Sequence, residues 1–194
     1  MKYVFTLAGV HGSGKTTIYE IIKEKRRNWI FFPDNINSPR YPFGSKDKQI
    51  AFRAELWFLE QMIKRNEKIR SLNEGTIFCD RSPLCLLSYS YALCTPEDYQ
   101  TIENLYKAVK WEETAVFYLE ESPEQILKQL TTRKEKHPSE WNETDINYIK
   151  KVIEGYEKVF EKFNPNVIRI QNNRKITETV QEILEKIDNY TRSE

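Results

Sequence analysis

The chain has 194 residues, a formal net charge of +1, and charged residues of both signs making up 30% of it. That length fits one domain with a substantial core, and the balanced charge offers no basic field for nucleic acid or membrane surfaces. Three cysteines, Cys79, Cys85 and Cys94, lack paired metal spacing and cannot all form internal disulfides, so they read as reduced, buried thiols of a cytoplasmic protein.

The first predicted element is a strand over Lys2–Ala8, with no leader pattern before it. Next comes Gly9-Val10-His11-Gly12-Ser13-Gly14-Lys15-Thr16, which has the form G-x-x-x-x-G-K-T, and then Thr17. Helical spacing of Ile18, Ile21 and Ile22 predicts a helix over Lys15–Arg26. Further strands are expected at Trp29–Phe32, Thr76–Cys79, Ala115–Leu119 and Val167–Ile170. Between and after them lie helices at Asp47–Ser71, Leu84–Leu93, Pro96–Lys110, Pro123–Lys134, Glu143–Phe163 and Thr177–Asn189. Ser122-Pro123-Glu124-Gln125 is a capping box with proline at the first helical position, and Thr95-Pro96-Glu97-Asp98 offers a similar start. Ile146, Ile149, Val152, Ile153, Tyr156, Val159, Phe160 and Phe163 form one apolar stripe, read as core. Strands alternating with helices imply a five-stranded parallel sheet covered on both faces, an α/β three-layer fold spanning 1–194 as a single domain. No apolar run reaches the roughly 18 residues of a membrane-spanning helix.

The strand–loop–helix setting gives the glycine-rich motif a mechanism. Its backbone N–H groups converge on phosphate oxygens beside a helix N-terminus. The cradle is expected from Gly9, His11, Gly12, Ser13, Gly14, Lys15, Thr16 and Thr17, with Lys15 on the β- and γ-phosphates of ATP and the Thr16 hydroxyl on Mg²⁺. The strand before Asp80-Arg81-Ser82 would bring a second Mg²⁺ ligand, Asp80, to the same place. Arg81 beside it suits a bidentate clamp on an acceptor phosphate, although a structural Asp–Arg pair would use the same residues. Arg133-Lys134-Glu135-Lys136-His137-Pro138 can form a lid at about 133–143, with Arg133 on transition-state oxygens, or a solvated helix end. Aromatics around Trp57, beside Arg53, can stack a base or simply pack.

Together these features resemble the thymidylate kinase family and its deoxynucleoside kinase relatives. The resemblance rests on the loop form G-x-x-G-x-G-K-T-T over Gly9–Thr17, the Asp80-Arg81 strand end and Ser88-Tyr89-Ser90-Tyr91-Ala92. It continues through Ser122-Pro123-Glu124, Arg133 and Ile153-Glu154-Gly155-Tyr156, and Phe32-Pro33-Asp34 is similar to a segment of the eukaryotic members. It implies P-loop phosphoryl transfer from ATP with Mg²⁺, catalysed with Lys15, Arg81 and Arg133. The acceptor it implies is a nucleoside monophosphate, foremost dTMP, bound by Asp34, Arg40, Arg53, Trp57 and Arg81. It also implies a homodimer. Departures are concentrated on the acceptor side: Ala8 and His11 stand where the family carries carboxylates, and the long-helix arginine has no clear counterpart. Two alternatives therefore stay open: a deoxynucleoside kinase using Asp34 as general base on a 5′-hydroxyl, and a nucleotide-binding regulatory protein without catalysis.

Overall fold

The computed structural model describes residues 1–34, 41–42, 44–136 and 143–192, with the backbone alone at 134–136. Five strands are present: β1 Lys2–Ala8, β2 Ile30–Phe32, β3 Gly75–Cys79, β4 Ala115–Glu120 and β5 Val167–Gln171. They form one parallel sheet in the order β2-β3-β1-β4-β5. Seven helices accompany them among the described residues: α1 Lys15–Lys25, α2 Lys48–Arg70, α3 Pro83–Leu93, α4 Pro96–Lys107, α5 Pro123–Lys136, α6 Ile146–Phe163 and α7 Ile176–Arg192. This is the expected P-loop three-layer architecture. Among the described residues, no helix is long and apolar enough to cross a membrane.

The period of two along each strand sorts the core into two faces. Ala115, Phe117 and Leu119 of β4 join Phe5 and Leu7 of β1 against Ile18 and Ile22 of α1 and Val180, Ile183 and Ile187 of α7. Val116 and Tyr118 point the other way, toward Leu84 and Leu87 of α3 and Val152 and Tyr156 of α6. Almost every residue of α3 is buried, as expected for a helix apolar on all sides. Gly155 lets α6 lie close to it, because a Cβ there would sit 2.6 Å from the Ser88 carbonyl oxygen. That approach carries Tyr89 and Tyr156 to the end of β1. All three cysteines are buried and free.

Cap chemistry explains the shifted boundaries. The helix expected from Glu143 starts at Ile146, because the Asp145 carboxylate accepts from the amides of Asn147 and Tyr148 at 2.9 and 3.4 Å. The helix expected to reach Lys110 stops at Lys107, and the Trp111 indole donates to the Tyr106 carbonyl at 3.0 Å. Both marked starts hold: Ser122 Oγ accepts from the Gln125 amide at 3.2 Å, and Thr95 Oγ1 from the Asp98 amide at 3.2 Å. Cations at the last turns of α1 and α2, such as Lys25 and Arg70, favour those C-termini electrostatically.

Candidate active site

The carboxyl ends of β1 and β3 lie side by side at the sheet centre, where open α/β sheets place ligands. After β1 the chain passes through Gly9, Gly12 and Gly14 at φ 146°, 84° and 78°. Gly14 caps α1 in the left-handed conformation without a side-chain cap. The first-turn N–H groups of α1 are thereby left for an anion, and a side chain at this φ would be strained. Lys15 Nζ donates to the carbonyls of Gly9 at 2.9 Å and Val10 at 2.8 Å. Burial lowers its pKa to about 8, and the charge of Arg81 acts in the same direction.

Neighbouring elements brace this loop. The Tyr156 hydroxyl donates to the Gly9 carbonyl at 2.9 Å and lies 3.3 Å from the Gly9 amide. Asn172, just past β5, donates from Nδ2 to the Ser13 carbonyl at 2.8 Å, while its Oδ1 accepts from Thr179. The stripe on α6, expected to be core, is core, and Tyr156 within it also fixes the loop.

Asp80 follows β3 next to α1. The Thr16 hydroxyl donates to its Oδ2 at 3.0 Å. Its Oδ1 is buried without a hydrogen-bond partner among the described residues. Two hard oxygen groups, one of them with an unused buried atom, fit a Mg²⁺ that takes its remaining ligands from phosphates and water. No cluster of three or more His, Cys, Asp or Glu side chains suited to a metal occurs among the described residues, so such an ion would depend on the nucleotide.

Arg81 has φ 71°, an uncommon backbone state for a non-glycine residue and one that collects at functional sites. Arg65 of α2 holds the turn in place, donating to the Asp80 carbonyl at 2.9 Å and the Arg81 carbonyl at 2.7 Å. The Arg81 guanidinium lies over the Tyr89 ring, 5.6 Å from its centroid, and its Nε donates to Asp34 Oδ2. Burial works against the Arg81 charge, yet Asp34 holds the guanidinium well on the charged side. Burial also pushes the Asp34 carboxyl up; Arg81 opposes this and Asp80 reinforces it.

Beyond Arg81 a cavity opens, lined by Glu55, Phe58, Met62, Arg81, Cys85, Leu86 and Tyr89. A second cavity, lined by Pro33, Asp34, Phe58, Gln61, Met62 and Arg65, shares Phe58 and Met62 with it. Glu55, Phe58, Met62 and Arg65 recur at helical spacing, so one face of α2 serves both. Arg53 and Trp57, expected on the acceptor, are not among these lining residues. Their positions fall off that helical phase: Arg53 is exposed, and Trp57 packs edge-on against Phe58 at 5.1 Å. Arg40 and most of the expected lid lie outside the described residues.

His11 is tied into the structure. Its amide donates to the Tyr89 hydroxyl at 2.6 Å, and Nε2 lies 3.0 Å from the Glu143 carbonyl. A carbonyl only accepts, so Nε2 carries the proton and Nδ1, 3.3 Å from the Tyr89 hydroxyl, accepts. Burial lowers the imidazole pKa to about 3, leaving it neutral, and its ring stacks on Tyr148 at 5.4 Å. The exposed Arg133 pairs with the buried Glu143 carboxylate, so the one described arginine of the expected lid is linked to the backbone that holds His11. Sequence reasoning did not single out Arg65, Glu55, Tyr89 or Tyr156 as site residues. The polar members of a buried helix face, Glu55 and Arg65 at i and i+10, are the one signal that could have found two of them.

A phosphate loop entering α1, an unsaturated carboxylate following β3 and a strained arginine after it, on a 2-3-1-4-5 parallel sheet, define a P-loop nucleoside or nucleotide kinase, an ATP-dependent enzyme. A family model described as "AAA domain" matches residues 4–166, and the chain belongs to that family. It is 27% identical to a thymidylate kinase of Clostridium novyi (strain NT), over 92% of this chain and 94% of that one. Its fold is similar to that of a deoxyadenosine kinase from M. mycoides with dCMP and a flexible dCDP bound, with TM-score 0.80, 18% identity, and coverage of 97% of this chain and 100% of the other. The same kinase with dATP bound gives TM-score 0.77 at 19% identity and the same coverage.

Proposed function

We infer that this enzyme transfers the γ-phosphoryl group of ATP to the 5′-hydroxyl of a nucleoside. The observation that carries this reading is the Asp34–Arg81 pair, which sets a carboxylate at the edge of the acceptor cavities beside the catalytic turn. A hydroxyl must lose its proton on attack, and a carboxylate raised by burial is a better base than a free one. Asp34 takes the proton as the 5′-oxygen bonds to the γ-phosphorus, and the bond to the β–γ bridging oxygen breaks to release ADP. Lys15 and the loop amides hold the donor phosphates, while Arg81 and Arg133 balance charge on the transferring group. Thr16 and Asp80 would hold Mg²⁺, which when bound neutralises the β- and γ-oxygens.

A second reading has its own support. The Clostridium novyi relative is a thymidylate kinase, and a dTMP acceptor would use the Arg81 fork on its phosphate without needing a base. Pairing of two copies and a cytoplasmic site of action belong to this proposal under either reading. Asp34→Asn separates the two: a nucleoside acceptor predicts a loss of about 10²–10⁴ in kcat on the best acceptor. An unchanged kcat, with Arg81→Lys raising the acceptor KM, would favour the monophosphate.

A further inference from the structure

Glu55 is a carboxyl with no role in the chemistry above, yet it sits 1% exposed in the wall of the acceptor cavity. The Ser90 hydroxyl donates to its Oε2 at 3.4 Å. Its Oε1 is buried and has no partner among the described residues. An unmade hydrogen bond at a buried group is costly, so a persistent orphan in a cavity wall is a candidate for contact with a ligand. Phe58 and Tyr89 line the same cavity, and such flat faces suit a planar aromatic guest.

We propose that Glu55 reads the hydrogen-bonding edge of the acceptor's base, donating from a protonated Oε1 to a base acceptor while Oε2 accepts from the neighbouring base donor. This rests on the kinase reading above and sharpens its substrate class. All four bases present an adjacent acceptor and donor that fit this pattern, guanine through O6 and N1–H. The ionised carboxylate offers acceptors only, and its best match is the two adjacent donors of guanine, N1–H and N2–H₂.

Burial favours the protonated form. Burial raises the Glu55 pKa to about 8, against the opposing pull of Ser90 and Arg81. The other groups facing it stay neutral: burial lifts Tyr89 and Cys94 to about 12 and holds Tyr148 well above its ordinary value. Arg81 is the charged group among those coupled to Glu55 in the described residues. The acceptor preference of this enzyme should therefore change with pH.

The test is acceptor kcat/KM from about pH 6 to about pH 9.5 at saturating ATP, for the parent, Glu55→Gln and Glu55→Ala. Deoxyadenosine, deoxycytidine, thymidine and deoxyguanosine serve as probes. The parent should lose about tenfold per pH unit above about pH 8 with its preferred non-guanine acceptor, while deoxyguanosine, whose edge pairs with either form, should fall much less. Glu55→Gln, a permanently neutral donor and acceptor, should stay within about tenfold of the parent at neutral pH and show no such fall. Glu55→Ala should lose about 10² or more in acceptor kcat/KM with the ATP KM within about twofold. A Glu55→Gln profile that overlays the parent's fall would overturn the proposal, as would an active Glu55→Ala. If no acceptor drives ADP release in the parent, the kinase reading fails, and calorimetry with the same four nucleosides at two pH values decides Glu55 on its own. Binding that weakens with pH in the parent but not in Glu55→Gln supports the role; no binding, or binding indifferent to the substitution, removes it.

Discussion

The donor and acceptor halves of the cleft are built by different means. On the donor side nine consecutive residues, Gly9–Thr17, make the site largely from backbone, through left-handed glycines and the open N-terminus of α1. On the acceptor side the groups arrive singly: Asp34 after β2, Glu55 and Phe58 from α2, Arg81 from the β3–α3 turn and Tyr89 from α3. A backbone site depends first on local conformation, here braced by Tyr156 and Asn172. A side-chain site depends on every element that carries one of its groups.

Four experiments press on that contrast. Lys15→Ala removes the one side chain of the donor loop assigned to the phosphates, and kcat should fall by about 10²–10³, with some loss of stability because the Gly9 and Val10 carbonyls lose their donor. Turnover within a few-fold of the parent would break the donor assignment. Next is Arg65→Met, which leaves the carbonyls of Asp80 and Arg81 without their donor. Stability in urea should drop by about 1–3 kcal/mol and kcat should fall with it; a variant as stable as the parent would mean that Arg65 does not anchor the turn. Tyr156→Phe tests the bracing of the loop from α6. Losing the hydroxyl's bond to the Gly9 carbonyl should cost about 0.5–1.5 kcal/mol, with a modest rise in ATP KM, whereas an ATP KM identical to the parent's would detach Tyr156 from donor binding.

The smallest effect is a proton count. Burial and Arg81 hold the free Lys15 at about 8, below its ordinary 10.5. Below that pH the ammonium is already charged, so binding of ATP takes up nothing. Between the two values bound phosphates favour the charged form, and binding should take up part of a proton. Calorimetry in two buffers of different ionisation heat reads it directly. Equal heats near about pH 9 would place the Lys15 ammonium away from the phosphates.

How far the sequence carries follows from the same contrast. Lys15, Thr16 and Asp80 could be proposed from the sequence because each lies inside a short motif whose mechanism needs that residue type at that spacing, and the fold brings Thr16 against Asp80. All five strands and seven described helices were legible from apolar period and caps; the misplaced ends at Glu143 and Lys110 turned on one Asp145 cap and one Trp111 indole. The acceptor pocket was not legible in the same way. Arg53 and Trp57 lie on the helix that lines both cavities but off the phase of Glu55, Phe58, Met62 and Arg65, and a 23-residue helix read without its partners gives no face to prefer. Asp34 and Arg81 were each singled out, but their contact spans 47 positions and exists only once β2 and β3 pair. His11 shows the same limit, since its neutral, fully bonded state depends on Tyr89, Glu143 and Tyr148 from three distant segments.

The central claim is that the acceptor is a nucleoside. ADP release measured with ATP and Mg²⁺ across nucleosides and their 5′-monophosphates tests it most directly. The account predicts that one nucleoside raises the rate at least about tenfold above the acceptor-free rate while its monophosphate does not. Acceleration by a monophosphate such as dTMP, with nucleosides silent, would contradict it.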